Sequence, residues 1–126
     1  MRFAYDTNYL PPAPSVEIRL GLPKGSLAVG PLRAFVDTGA DVLLVPLRYI
    51  EPLCAQIDNR KTLRSQWGEP RKVDVYVLDV GIGDLRFPVI EVVADEVNDE
   101  VVLGRSVLNR LTVTLHGPKQ MIEILG

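Results

Sequence analysis

The chain has 126 residues but only one cysteine, one histidine and one tryptophan. A lone thiol cannot close an internal disulfide, so packing alone must hold the fold, and a reducing, cytoplasmic setting is expected. Cys54 reads as a small buried side chain and His116 as structural. One Cys and one His supply no zinc-type ligand cluster, and neither a metal nor another cofactor is expected. Basic charge is also scarce. Fourteen Lys and Arg stand against sixteen Asp and Glu, for a net charge of −2, which argues against a nucleic-acid partner and its basic face. No apolar run approaches the ~18 residues of a spanning helix. Met1–Asp6 lacks the apolar stretch of a signal peptide, so no membrane partner is expected. There is no repeat at solenoid period and no Walker or Rossmann fingerprint; Gly81-Ile82-Gly83 reads as a hairpin turn.

Hydrophobic residues make up 47% of the chain, punctuated by ten Gly and ten Pro. An apolar fraction of that size supports a packed core, and frequent chain breakers between Val- and Leu-rich runs favour short strands joined by turns. Residues 1–14, with Pro11-Pro12-Ala13-Pro14, read as an extended N-terminal arm, and 15–126 as one domain. Val16, Ile18 and Leu20 alternate with Glu17 and Arg19 in a first strand, Ser15–Leu22. A second runs from Leu27 to Val36, with a bulge or kink at Gly30-Pro31. Val42–Val45 is a short apolar return. Pro46–Asp58 reads as short helical turns and Lys61–Gln66 as extended. Val73, Val75 and Val77 alternate along a strand reaching Val80, whose hairpin partner is Leu85–Val93. Asp95–Glu100 is an acidic loop and Val101–Leu103 a buried strand. Ser106–Arg110 reads as a short helix, and Leu111–His116 and Gln120–Leu125 as closing strands. The fold class is all-β with one short C-terminal helix.

Two segments carry chemistry. Phe35-Val36-Asp37-Thr38-Gly39-Ala40-Asp41 is a polar turn between two apolar runs, a place where a loop is held tightly enough to fix an acid. Gly39 permits close backbone approach and Thr38 can lock the loop by hydrogen bonding. On its own Asp-Thr-Gly is equally an Asx-type turn. The second segment is Val101-Val102-Leu103-Gly104-Arg105, leading into Ser106-Val107-Leu108-Asn109-Arg110. It suits a strand passing beneath the first loop. It lacks the second Gly of a serine nucleophile elbow.

In that order and separation, the two segments resemble the retropepsin-like, retroviral-type aspartic proteases over about Ser15–Leu125. The resemblance implies a closed β-barrel subunit that pairs with a copy of itself. It implies an aspartic endopeptidase acting on polypeptide substrates, in which Asp37, Thr38 and Gly39 form the catalytic loop. One Asp-Thr-Gly in a chain of this length fits one half of a two-fold site. Asp41 and Arg105 are implied to form an ion pair near the dimer interface; the alternative is two solvated charges. The family's flap falls on Leu63–Pro70, which carries a single Gly. Ala40, Asp41, Gln66, Trp67 and Gly68 are implied substrate contacts, with Trp67 open to a core or interface role instead. The sparse flap leaves a non-catalytic dimerisation or peptide-binding module on the same fold as the rival. Met121–Leu125 is expected to leave an unpaired strand edge for a second subunit.

Overall fold

The computed structural model describes residues 1–64 and 68–126. Among the described residues ten strands form: β1 (Arg2–Ala4), β2 (Ser15–Gly21), β3 (Val29–Val36), β4 (Leu43–Pro46), β5 (Asn59–Leu63), β6 (Arg71–Ile82), β7 (Leu85–Asp95), β8 (Val101–Leu103), β9 (Thr112–His116) and β10 (Met121–Leu125). Two single-turn helices interrupt them, α1 (Leu47–Ile50) and α2 (Arg105–Leu108). The helical turns read at Pro46–Asp58 are α1 and a 3-10 turn, Glu51–Leu53. Among the described residues, no helix is long and apolar enough to cross a membrane.

The main sheet runs β2-β3-β8-β4-β7-β6-β5 and closes on itself because β2 also pairs with β6. Arg19, Leu20 and Gly21 lie opposite Gly81, Val80 and Asp79. Six strands thus form a closed barrel, with β5 hanging from its β6 edge. Closure removes the free edges of a twisted sheet. The pairings β3–β8 and β4–β7 are parallel; the others are antiparallel.

Period-two alternation puts Val16, Ile18 and Leu20 of β2 in the interior, each almost fully buried. β6 departs from the simple alternation expected of it. Its even positions, Tyr76, Leu78, Val80 and Ile82, fill the main core. Val73 and Val75 point to the other face, where they form a smaller cluster with Val93. Val77 joins neither. A strand twelve residues long can serve two clusters because its two faces are covered at different points along its length. At the Leu78/Val80 register shift the intervening Asp79 is buried. It accepts hydrogen bonds from the Lys24 N–H (3.0 Å), the Val89 N–H (2.9 Å) and Arg86 Nε (3.0 Å). One carboxylate therefore ties the turn after β2 to the β6–β7 hairpin. The irregularity of the first hairpin lies between Ile18 and Leu20 on β2, facing Gly30 at φ +126°.

Two expectations are overturned. Cys54 is exposed, not buried; it sits in the left-handed region (φ 52°) closing the Glu51–Leu53 turn, where its side chain points away from the core. The C-terminal strand does not leave an open edge. β10 is the middle strand of a separate sheet ordered β1-β10-β9. Arg2, Phe3 and Ala4 pair with Glu123, Ile122 and Met121 on one side, and Thr112–His116 pair on the other. The apolar pattern of Met121–Leu125 was read correctly as a strand, but the N-terminal residues of the same chain satisfy its second edge.

Ile122 and Ile124 are fully buried, and losing each such side chain costs about 2–5 kcal/mol. Their sum is comparable to the roughly 5–15 kcal/mol stability of a whole domain. Deleting residues 120–126 should therefore abolish cooperative unfolding, read by thermal melting followed by circular dichroism; a truncated chain that melts sharply near the wild-type temperature contradicts this packing.

Candidate active site

β3 and β4 are consecutive in the chain but not adjacent in the sheet, because β8 lies between them. The residues joining them must cross the end of β8, a span of roughly 10 Å at ordinary strand spacing. Asp37–Val42 make that crossing. The Asp37 N–H bonds to the Leu103 carbonyl (3.1 Å), continuing the β3–β8 ladder by one residue. The Arg105 N–H reaches the Ala40 carbonyl (2.9 Å) and the Ser106 N–H the Asp41 carbonyl (3.0 Å). The first N–H groups of α2 are thus used to hold the loop, which answers the accounting that every helix start requires.

Gly104 makes the close passage possible. A Cβ on it would lie 2.3 Å from the Val42 carbonyl oxygen and 2.7 Å from that of Ala40. Both are backbone atoms that cannot swing aside.

The loop's own chemistry is local. The Gly39 N–H donates to Asp37 Oδ1 at 2.9 Å, fixing the carboxylate in an Asx turn. Arg105 bridges the loop from below: Nη1 donates to the Thr38 carbonyl (2.7 Å) and Nη2 to Asp41 Oδ1 (2.5 Å). The ion pair is solvated, with side-chain exposures of 46% for Arg105 and 80% for Asp41. At that exposure its charge contributes at most about 1 kcal/mol, so the geometric fork matters more than the Coulomb term. Among the described residues the hydroxyl of exposed Thr38 makes no hydrogen bond; the lock runs through its carbonyl.

Beside the loop lies a cleft of about 700 Å³. Its floor is apolar, made by Val42 and Leu44 after the Asp37 turn and by Val73 and Val93, part of the smaller core cluster. Its roof is the β5–β6 hairpin, in which Leu63 pairs with Arg71. Lys61, Arg64, Gly68 and Glu69 line that side. Gly39, Ala40, Asp41 and Gly68 therefore meet at one cleft, whereas Asp37 and Thr38, the residues just before Gly39 in the same loop, do not line it. Gln66 and Trp67, also read from the sequence as contacts, lie outside the described residues.

The far wall was not anticipated beyond being an acidic loop. Asp95, Val97 and Asn98 line the cleft there. Burial acts to raise the Asp95 pKa, but hydrogen bonds from the Asn98 and Val97 N–H groups, the Asn98 side-chain amide and Arg71 outweigh it and hold the carboxyl below the ordinary carboxylate range. The only sequence signal was Asp95-x-Val97-Asn98, an Asx-turn pattern. Among the described residues, no group of three or more His, Cys, Asp or Glu is placed to hold a metal.

The sequence pattern of the family described as "gag-polyprotein putative aspartyl protease" matches residues 24–110. Among solved structures, the fold is similar to that of a retropepsin-like aspartic protease from Rickettsia conorii, with a TM-score of 0.66 and 20% identity over 99% of this chain and 88% of that one. It is also similar to EIAV protease complexed with the inhibitor HBY-793 (TM-score 0.50, 16% identity, 78% of this chain and 86% of that). A third likeness is to the retroviral protease-like domain of Ddi1 from Leishmania major (0.50, 14%, 89% and 94%). At these identities the structural likeness is one of fold. No curated protein matches the chain in sequence.

Two outcomes follow from the site's packing. Gly104→Ala forces a methyl into the backbone of Ala40 and Val42 and should cost about 3 kcal/mol or more, at the top of the range for overpacking; a melting temperature within a degree of wild type would show that the loop does not sit this close. The lowered Asp95 pKa gives stability that is complete above the unfolded-state value, about pH 4, and is lost as pH falls through the lower folded-state value. The melting-temperature gap between wild type and Asp95→Asn should thus be widest above about pH 5 and narrow steadily towards pH 2. A gap that is flat across this range contradicts the assignment.

Proposed function

The chain belongs to the retropepsin-like aspartic protease family, and from that premise we propose that it is an aspartic endopeptidase whose active site is assembled from two Asp37 carboxylates, one from each subunit of a homodimer. The observation that carries the reading is the Asp37 loop: a single acid, oriented by the Gly39 amide, on a turn pinned from below by Gly104 and Arg105. Such a turn holds Asp37 two residues before Gly39, which lines a peptide-sized cleft. A single carboxylate cannot act as acid and base at once. A second copy of the loop across a two-fold axis supplies the other.

Two carboxylates in close contact cannot both ionise at low cost, so they share one proton. The ionised oxygen accepts a proton from a water held between them. That water attacks the scissile carbonyl carbon while the protonated carboxyl donates to the carbonyl oxygen. Collapse of the tetrahedral species breaks the C–N bond as the leaving nitrogen takes a proton from the dyad. The pair, and not either residue, sets the pH profile.

An extended polypeptide fits between the β5–β6 hairpin and the loop. Val42, Leu44, Val73 and Val93 offer an apolar floor, so cleavage should favour an apolar side chain beside the scissile bond. Ala40, Asp41 and Gly68, which line the cleft, support a role in meeting the substrate backbone, and the Asp41–Arg105 pair supports the loop's shape.

The test is cleavage of a mixed peptide library by the purified chain, with and without a statine-type mimic of the tetrahedral species. Cleavage next to apolar residues, blocked by the mimic and absent in a folded Asp37→Asn variant, is the expected result. Asp37→Asn retaining cleavage overturns the assignment. A wild-type chain that binds peptides but cleaves none favours the non-catalytic module.

A further inference from the structure

Besides the Asp37 loop and the β5–β6 hairpin, the cleft is walled by the β7–β8 connection, residues 96–100. Its inner side faces the cleft through Val97 and Asn98. Val97 is 73% exposed, an apolar side chain with room for a ligand beside it. Two sets of contacts hold this short segment. At its start, Asp95 gathers the Val97 and Asn98 N–H groups. At its end, Glu100 accepts a hydrogen bond from the Tyr9 hydroxyl, and Asp99 pairs with Arg48.

Tyr9 belongs to the N-terminal segment, far from the cleft residues in sequence. Residues 5–14 turn back on themselves between the two sheets: the Tyr5 N–H bonds to the Gln120 carbonyl before β10, Asp6 and Ala13 bond to each other in both directions, and the Val36 N–H of β3 bonds to the Pro14 carbonyl. Buried Asp6 also pairs with Arg33 of β3 (3.4 Å). The Tyr9 ring packs on Phe35 with centroids 5.2 Å apart and planes tilted by 35°. Phe35 lies two residues before Asp37 on the strand that delivers the loop. One aromatic side chain therefore touches the strand leading to Asp37 and the last residue of that wall. Burial, then the bond to Glu100 and the charges of Glu100 and Asp6, push the Tyr9 pKa up to about 12, so the hydroxyl remains a donor throughout the range in which a protease works.

We propose that Tyr9 is a positioning residue for substrate specificity: braced on Phe35, it fixes Glu100 and so sets the position of the Val97–Asn98 wall against which a substrate side chain packs. It touches neither substrate nor the reacting atoms. This deepens the protease reading and rests on it for the identity of the ligand. The acidic loop gains a function that its charge alone does not suggest, since two of its carboxylates are anchors turned away from the cleft.

The test uses the full chain and three variants. Tyr9→Phe keeps the ring on Phe35 and removes only the hydroxyl, Glu100→Gln keeps an acceptor, and Glu100→Ala removes it. Amide hydrogen exchange at Val97 and Asn98 should speed up about tenfold in Tyr9→Phe and Glu100→Ala, much less in Glu100→Gln, and not at all at Ile18 and Leu20 of the barrel. In peptide cleavage, Tyr9→Phe should raise KM about three- to tenfold with kcat within twofold, the signature of lost ground-state binding. Unchanged exchange at Val97 and Asn98, or a fall in kcat with KM constant, overturns the proposal. The two readings separate cleanly. Altered exchange in a chain that cleaves nothing supports the positioning role and defeats the protease, whereas normal exchange in an active protease does the reverse.

Discussion

The loop that bears Asp37 joins two strands that are kept apart by a third. Because β8 is inserted between β3 and β4, the connection can only pass over the end of β8, and whatever stands there must be small enough to let it through. Gly104 meets that requirement, with two carbonyl oxygens inside the space that any side chain would occupy. The backbone of Leu103, Arg105 and Ser106 then supplies the partners of Asp37, Ala40 and Asp41. The acid is consequently rigid because of sheet topology, and the two short motifs, 60-odd residues apart in the chain, are two sides of one crossing. Barrel closure by β2 and β6 matters for the same reason: it fixes the strands whose ends define the crossing.

The cleft shows a similar economy. Its floor is the exposed side of a small apolar cluster, its roof a hairpin edge, and its far wall a loop anchored by one carboxylate inside and two outside. The pieces come from β4, β5, β6, β7 and the β7–β8 connection. On the proposed reading, an acid held by backbone and a wall held by side chains divide the work between reaction and selection, since changes in the wall can alter which peptide fits without disturbing the Asp37 turn.

Much of this was legible in the sequence because it is local. Alternation along Val16–Leu20 gave the first strand its buried face, Val101–Leu103 was bounded by its acidic loop and by Gly104, and the two motifs identified the family. What escaped is long-range. Nothing in Met121–Leu125 tells that Arg2–Ala4 of the same chain will cover its edge, since either a neighbouring strand or a second subunit satisfies the same hydrogen bonds. The switch of faces in β6 depends on which cluster each end meets, and periodicity alone does not reveal it. Asp95 and Arg71 stand 24 residues apart, and their pairing needs the β6–β7 hairpin to exist first. Cys54 was judged by the usual burial of its residue type, but a left-handed turn turned it outward.

The central claim is that each subunit contributes one Asp37 to a shared dyad. It is tested most directly by mixing wild-type chain with Asp37→Asn chain in varied ratio, confirming by native mass spectrometry that subunits have exchanged, and measuring peptide cleavage. A dimer with one Asp and one Asn lacks either the base or the shared proton and should be inactive, so activity per total chain should fall as the square of the wild-type fraction. A straight-line decline with that fraction would show that each chain acts alone and would contradict the account.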